Sequence, residues 1–222
     1  MVARCHDRRP LLDLEGSRRI YLESLATALS RGDALLHAWC LMSTHLHLVL
    51  TLRQAPLGEI LRSAHTAWAA RINRLAGRAG AALSERPLSV LVEDGPLLLE
   101  LIRYVHNNPV RARLAARPHE SHWTSHRAFT GLEPTPRWLD TAAVLGAFDP
   151  DRAAVRARFD AFVNETRRAR RCPALVGERP AAELKRLRTM TGGLYDPNHP
   201  IIGSDDFVVR ATAWRQGPKA VV

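Results

Sequence analysis

The stretch Trp39-Cys40-Leu41-Met42-Ser43-Thr44-His45-Leu46-His47-Leu48-Val49-Leu50-Thr51 places two histidines two residues apart inside an apolar, β-prone run. On a strand, side chains at i and i+2 point to one face. His45 and His47 therefore stand side by side, while Leu46, Leu48 and Leu50 turn to the opposite face and into a core. Two neutral imidazoles fixed in parallel on a rigid strand are half of a divalent-metal site. The spacing by itself more often means two satisfied or solvated histidines, so the case for chemistry has to come from the rest of the chain.

Working outward, Ala34 to Met42 reads as a strand, Ser43-Thr44 as a tight reversal and His45 to Leu52 as the strand that pairs back on it, an antiparallel hairpin. A helix from about Ser17 to Arg31 precedes it, with Ile20, Tyr21, Leu25, Ala28 and Leu29 as its apolar stripe and Gly32 as C-cap. A second helix follows from about Pro56, placed at the first helical position, to Leu75. Ile60, Leu61, Ala64, Trp68, Ile72 and Leu75 share one of its faces, and Arg62, His65, Arg71, Asn73 and Arg74 the other. Leu88 to Val92 is a short strand. A third helix opens at Gly95-Pro96 and stops at Asn108, because Pro109 disfavours helix in the residue before it. Leu98, Leu101, Ile102 and Val105 form its buried stripe, and Glu100, Tyr104 and Asn108, at i, i+4 and i+8, lie along one edge of that stripe. The order helix, strand, strand, helix, strand, helix calls for an α+β fold, an antiparallel sheet with helices packed on one face. With Val2 to Cys5 as a first strand, the core is ferredoxin-like, βαββαβ, with the Tyr104 helix added. Residues 1–131 form this domain. Residues 132–222 are mainly helical and basic, with helical patterning from Thr141 that ends in Arg167-Arg168-Ala169-Arg170-Arg171.

The 222 residues carry a formal charge of +10 and a pI near 10.8, which point to a polyanionic partner, most simply nucleic acid. Lys185 and Lys219 are the only lysines, so arginine supplies nearly all the positive charge. Three scattered cysteines, Cys5, Cys40 and Cys172, argue against a disulfide framework or a Cys-based zinc site and fit a reducing cytoplasm. No apolar run approaches the roughly 20 residues of a membrane span, and the first residues lack the apolar core of a signal peptide.

Three stretches together resemble the single-tyrosine HUH transposases, and within them the REP-associated tyrosine transposases. Ala38 to Leu50 is similar to that family's hydrophobic-Met-x-x-His-hydrophobic-His signature. Leu101-Ile102-Arg103-Tyr104-Val105-His106-Asn107-Asn108-Pro109-Val110-Arg111-Ala112, followed by Trp123-Thr124-Ser125-His126-Arg127-Ala128, resembles its nucleophile helix and the loop after it. Ile202-Gly203-Ser204-Asp205-Asp206-Phe207-Val208 is a weaker match to a C-terminal feature of the REP-associated branch. The first two stretches are specific in this order and spacing; neither is alone.

The resemblance implies cleavage and joining of single-stranded DNA next to short hairpins, through a covalent 5′-phosphotyrosine on Tyr104 and with Mg²⁺ or Mn²⁺. His45 and His47 are the implied metal ligands, and Asn108 stands where the wider family supplies a third, oxygen ligand. A carbonyl oxygen suits Mg²⁺ better than a third imidazole. A metal so held polarises a phosphoryl oxygen. A free tyrosine has a pKa near 10, so the metal and nearby arginines, Arg103 or Arg111, have to favour its phenolate. Arg62, Arg71, Arg74, Arg103, Arg111, Arg167, Arg168, Arg170 and Arg171 are the expected phosphate contacts and Trp123 an expected base-stacking platform. The structural alternatives are a half-buried packing tyrosine, an ordinary helix-stop asparagine, a core tryptophan, a solvated arginine face, and a solvated or hydrogen-bonded His106. Ser43-Thr44 replaces the family's Pro-Asn and Arg113 its Gly, and only about four residues serve for the first strand. An incomplete sheet would make the chain a domesticated hairpin-DNA-binding protein without catalysis. A metal-dependent hydrolase of small substrates leaves the charge unexplained. The oligomeric state is open; with the C-terminal extension, the resemblance implies a monomer acting in cis.

Overall fold

The computed structural model describes residues 1–84, 87–148, 152–165, 189–191 and 200–216. They fall into two compact units, Met1–Pro87 with Leu101–Glu165, and Leu88–Glu100 with Thr166–Val222. The expected division after residue 131 does not match this partition, since the helix Arg152–Asn164 belongs to the first unit.

The first unit is α+β. Strands β1 (Val2–Arg4), β2 (Ala34–Leu41) and β3 (His45–Leu52) form an antiparallel sheet in the order β1-β3-β2. The β2–β3 hairpin closes as the alternation predicts: Met42 N–H donates to His45 O at 2.8 Å across Ser43-Thr44, and Leu41 faces Leu46, Cys40 His47 and Trp39 Leu48. Leu46 and Leu48 are buried. Short as it is, β1 pairs with the histidine strand, Val2 opposite His47 and Arg4 opposite His45.

Leu88–Val92 does not supply the fourth strand of this sheet. The place beside β1 is taken by Ala82 to Ser84: His6 N–H donates to Ala82 O (3.0 Å) and Ser84 N–H to Arg4 O (2.8 Å). Along the other margin Leu41 N–H donates to Trp123 O, Ser125 N–H to Trp39 O and Asp140 N–H to Leu36 O. Both edges thus find backbone partners, which removes the hazard of an exposed strand edge.

Helix α1 (Ser17–Gly32) buries Ile20, Tyr21, Leu25, Ala28 and Leu29 at helical spacing. Asp33, in the left-handed region at φ 45°, caps it through its N–H to Leu29 O, so Gly32 is the last helical residue and not the cap. Glycine is needed there for a different reason: a Cβ on Gly32 would stand 2.6 Å from Ile60 Cγ1. Ile60 belongs to α2 (Leu57–Leu75), which buries Ile60, Leu61, Ala64, Trp68 and Ile72 against α1 and is preceded by Pro56 at the N-cap, one position earlier than expected. Trp68 is fully buried against the ring of Tyr21 at 5.8 Å, and its Nε1 donates to the backbone and side-chain oxygens of Ser17 at 3.2 and 3.1 Å. Burial of such side chains contributes about 1.5–3 kcal/mol each. Tyr21 feels the thiol of Cys5, which shares a strand face with Ala3 and hence with Leu46, so this helix pair covers the sheet face away from the histidines.

Helix α3 (Pro96–His106) gives Leu101 to His106 to the first unit. The chain does not stop at Pro109. It bends at Asn107 and winds one further turn, α4 (Asn108–Arg111), with the proline in its first turn, where the missing N–H costs nothing. The region expected to be helical from Thr141 contains α6 (Ala142–Leu145) and α7 (Arg152–Asn164), after α5 (His126–Thr130).

In the second unit, Leu91–Val92 (β4) pairs in parallel with Ile201–Ile202 (β5), and α8 (Asp205–Gln216) adds Val208 and Ala211 to a small core with Ile201. Glu93 accepts from the backbone N–H and the hydroxyl of Ser204 at 2.6 and 2.9 Å. No helix among the described residues is long and apolar enough to cross a membrane.

Candidate active site on the histidine face of the sheet

Because His45 and His47 sit at alternate positions of β3, their rings share a face, 5.1 Å apart between centroids. Thr44, in the turn, brings its Oγ1 to 3.2 Å from His45 Nδ1, which leaves Nε2 as the uncommitted nitrogen. His47 is buried, 6% exposed, and its Nε2 has no hydrogen-bond partner. Burial above all, reinforced by the neighbouring positive charge of Arg4, pushes the pKa of His45 down; the same forces, with His45 and Arg111 added, push that of His47 to about 3. Both imidazoles are therefore neutral at pH 7, the form that can donate a lone pair to a metal.

Tyr104 reaches this pair from α3. Its ring lies 6.0 Å from that of His47 at 77°, an edge-on contact, and the guanidinium of Arg111 lies over the ring, 4.6 Å from its centroid. Seven residues beyond Tyr104, at the end of α4, Arg111 returns over its ring. Asn108 is buried, and its Nδ2 donates to Tyr104 O (2.9 Å) and Val105 O (3.3 Å), which orients Oδ1 away from those carbonyls. A bare nitrogen on a buried histidine beside a second neutral imidazole fits a divalent cation. Among the described residues no group of three or more His, Cys, Asp or Glu side chains gathers to complete such a site, so Asn108 is the oxygen donor that the sequence offers.

The other expected residues are distributed differently. Arg62, Arg71 and Arg74 are exposed on α2, in the helix layer covering the far face of the sheet, and Arg71 pairs with Glu23 at 2.8 Å. Arg103 is 7% exposed, stacked on Phe162 at 5.1 Å and 3.9 Å from Glu165, a packing position. Trp123 lies at the margin of β2 with the Arg18 guanidinium 5.1 Å from its ring. Arg167, Arg168, Arg170 and Arg171 fall outside the described residues.

His106 is the hydrogen-bonded of the two alternatives that the sequence leaves open, and it is not solvated. It is fully buried among Phe129, Phe159 and His126, and its Nε2 lies 2.8 Å from Ser125 Oγ. That hydroxyl also accepts from Trp39 N–H at 3.0 Å and lies 3.4 Å from Trp39 O. His106 Nδ1 is buried without a partner. A proton there would be an orphaned donor, so the favourable tautomer has Nε2–H donating to Ser125, whose own proton goes to Trp39 O. Trp39 pairs with Leu48, next to His47. Two residues beyond Tyr104, the helix is thus tied to the sheet that carries the histidines. Next to this tie, His126 Nε2 meets Asp160 Oδ1 at 2.9 Å and Asn107 Nδ2 donates to Val163 O at 2.9 Å, which fix α5 and α3 to α7. The apolar periodicity of α3 gave no hint of His106; only the Thr124-Ser125-His126 segment, landing on β2, supplies its partner.

Cys5 and Cys40 are free and buried, and burial pushes their thiols up to about 11 and about 12, away from nucleophilic or metal-binding chemistry. No family model matches the chain, and no curated protein matches it. Among solved structures, it is similar to one described as a REP-associated tyrosine transposase bound to a REP hairpin, at 15% identity and a TM-score of 0.47, over 64% of this chain and 87% of that one.

Proposed function

We propose that the chain is a DNA-nicking and strand-joining enzyme of the REP-associated tyrosine transposase type, acting on single-stranded DNA beside hairpins. The observation that carries this reading is the edge-on approach of Tyr104 to His47, with Arg111 over the phenol ring. In the reaction, Tyr104 Oη attacks phosphorus. A tyrosyl O–P bond forms as the phenol gives up its proton to water, the bond to the 3′ oxygen breaks, and that oxygen takes up a proton from water and leaves as a 3′-hydroxyl. The phosphodiester energy is kept in the tyrosyl phosphate for rejoining by a second 3′-hydroxyl. Arg111, stacked on the ring, is placed to stabilise negative charge developing on the phenol oxygen, while the His106–Ser125 tie holds the nucleophile helix in register with β3. Held by His45, His47 and Asn108 Oδ1, Mg²⁺ or Mn²⁺ would supply Lewis-acid polarisation of the phosphoryl group. The net charge of +10 supports a nucleic-acid substrate.

The test is incubation of the protein with a hairpin-bearing single-stranded oligonucleotide and Mg²⁺ or Mn²⁺. An SDS-stable adduct is expected, and Tyr104→Phe should abolish it. A second reading, hairpin-DNA binding without cleavage, is favoured by the lack of a carboxylate or third histidine at the site among the described residues. DNA binding with no adduct under either metal would select it.

A further inference from the structure

Arg4 carries no role in the sequence reading, yet the register of β1 on β3 sets it directly opposite His45. Residues opposite one another in an antiparallel pair project to the same face, with Cβ atoms about 4.5–5.5 Å apart. Arg4 therefore stands on the histidine face. It is exposed and has no carboxylate partner among the described residues; the nearby Asp7 is engaged by His6 at 3.0 Å and Arg9 at 3.6 Å. The charged groups that act on His47 are the amine of Met1, Arg4 and Arg111, and no carboxylate is among them. One guanidinium group, on the strand opposite His45, and another, stacked over Tyr104 beside His47, thus both border the histidine face. Guanidinium groups without an acid beside them favour an anion next to the imidazole pair, and the planar fork matches the two non-bridging oxygens of a phosphodiester.

We propose that Arg4 is a phosphate-binding residue of this site, holding together with Arg111 one phosphodiester group of single-stranded DNA against the His45–His47 pair. The assignment rests on the reading given under Proposed function and adds to it the residue that meets the substrate backbone. The alternative for a charged residue on a strand near the sheet margin is a solvated position with no ligand.

The experiment uses the full chain carrying Tyr104→Phe, so that binding is measured without cleavage. Fluorescence anisotropy follows its affinity for a hairpin-bearing single strand and for a series of the same strand with one uncharged methylphosphonate walked along it. Adding Arg4→Gln should weaken binding about tenfold and lower the slope of log affinity against log salt by about one. At one methylphosphonate position, Arg4→Gln should cost nothing further, because the charge it meets is already gone. Arg4→Lys, which keeps the charge and loses the fork, should fall between, and it carries the comparison if Arg4→Gln lowers the melting temperature. Losses that multiply at every position, or unchanged binding by Arg4→Gln, overturn the assignment. If the protein with Tyr104 intact forms no adduct while Arg4 still couples to one phosphate, cleavage is overturned and the Arg4 site stands; an absence of single-strand binding overturns both.

Discussion

Lowering the pH from 7 to 5 is expected to destabilise the protein severely, because its first unit buries histidines in the neutral form. His47 is held at a pKa of about 3 and His65, whose Nε2 lies 3.2 Å from Tyr21 Oη, at about 4, both mainly by burial. In the unfolded chain each returns to about 6.5. At pH 7 both states are neutral and the groups have no effect. As the pH falls through 6.5 the unfolded state takes up protons that the folded state refuses, so stability present above 6.5 is lost progressively down to pH 4 and, for His47, pH 3. At pH 5 this amounts to about 2 kcal/mol from each residue, and about 4 kcal/mol together, a large share of an ordinary domain's stability. His45, His106 and His126 are pushed down in the same sense. Urea unfolding in the presence of a chelator, repeated from pH 7.5 to 5, measures the effect. His47→Gln and His65→Gln should each reduce the pH slope by about one proton. Equal stability at pH 7 and pH 5, or a parental slope in the variant carrying both substitutions, would show that burial does not hold these histidines neutral.

Ser125→Ala removes the acceptor of both His106 Nε2–H and Trp39 N–H, so it should cost about 1–3 kcal/mol by denaturant unfolding. It should also slow adduct formation more than it weakens DNA binding, since it loosens the helix of Tyr104 and leaves the arginines in place. Gly203→Ala would put a Cβ 2.5 Å from Phe207 Cδ1 and 2.8 Å from Glu93 Cβ. It should destabilise the β4–β5 pairing of the second unit by about 1–3 kcal/mol, read as faster hydrogen exchange at the Leu91 and Glu93 amides.

The hairpin, its turn and the shared face of His45 and His47 were legible because alternation over a strand is a strictly local rule. The stripes of α1 and α2 were legible for the same reason, at period 3.6. Local rules failed where the partner is distant in sequence. Leu88 to Val92 has the composition of a strand, but whether it joins the main sheet depends on what else competes for the margin of β1. Ala82 to Ser84 took that place, and Leu91–Val92 paired with Ile201–Ile202 more than 100 residues away. Pro109 was expected to end the helix, whereas a bend at Asn107 one residue pair earlier lets the proline begin a new turn, and that turn is what returns Arg111 over Tyr104. Arg4 was missed, and the partner of His106 left open, for one reason: a charged residue in a short strand and a histidine on a helix mean nothing until register or packing supplies the neighbour.

Tyr104 as nucleophile toward DNA stands or falls on where the DNA becomes attached. Incubating the protein with a hairpin-bearing single strand and Mn²⁺, digesting the product and sequencing the nucleotide-bearing peptide by mass spectrometry tests it most directly. The expected product is a 5′-phosphate joined to the peptide containing Tyr104, with no adduct from Tyr104→Phe. An adduct on another residue, one that survives Tyr104→Phe, or cleaved DNA with no protein-linked product would contradict it.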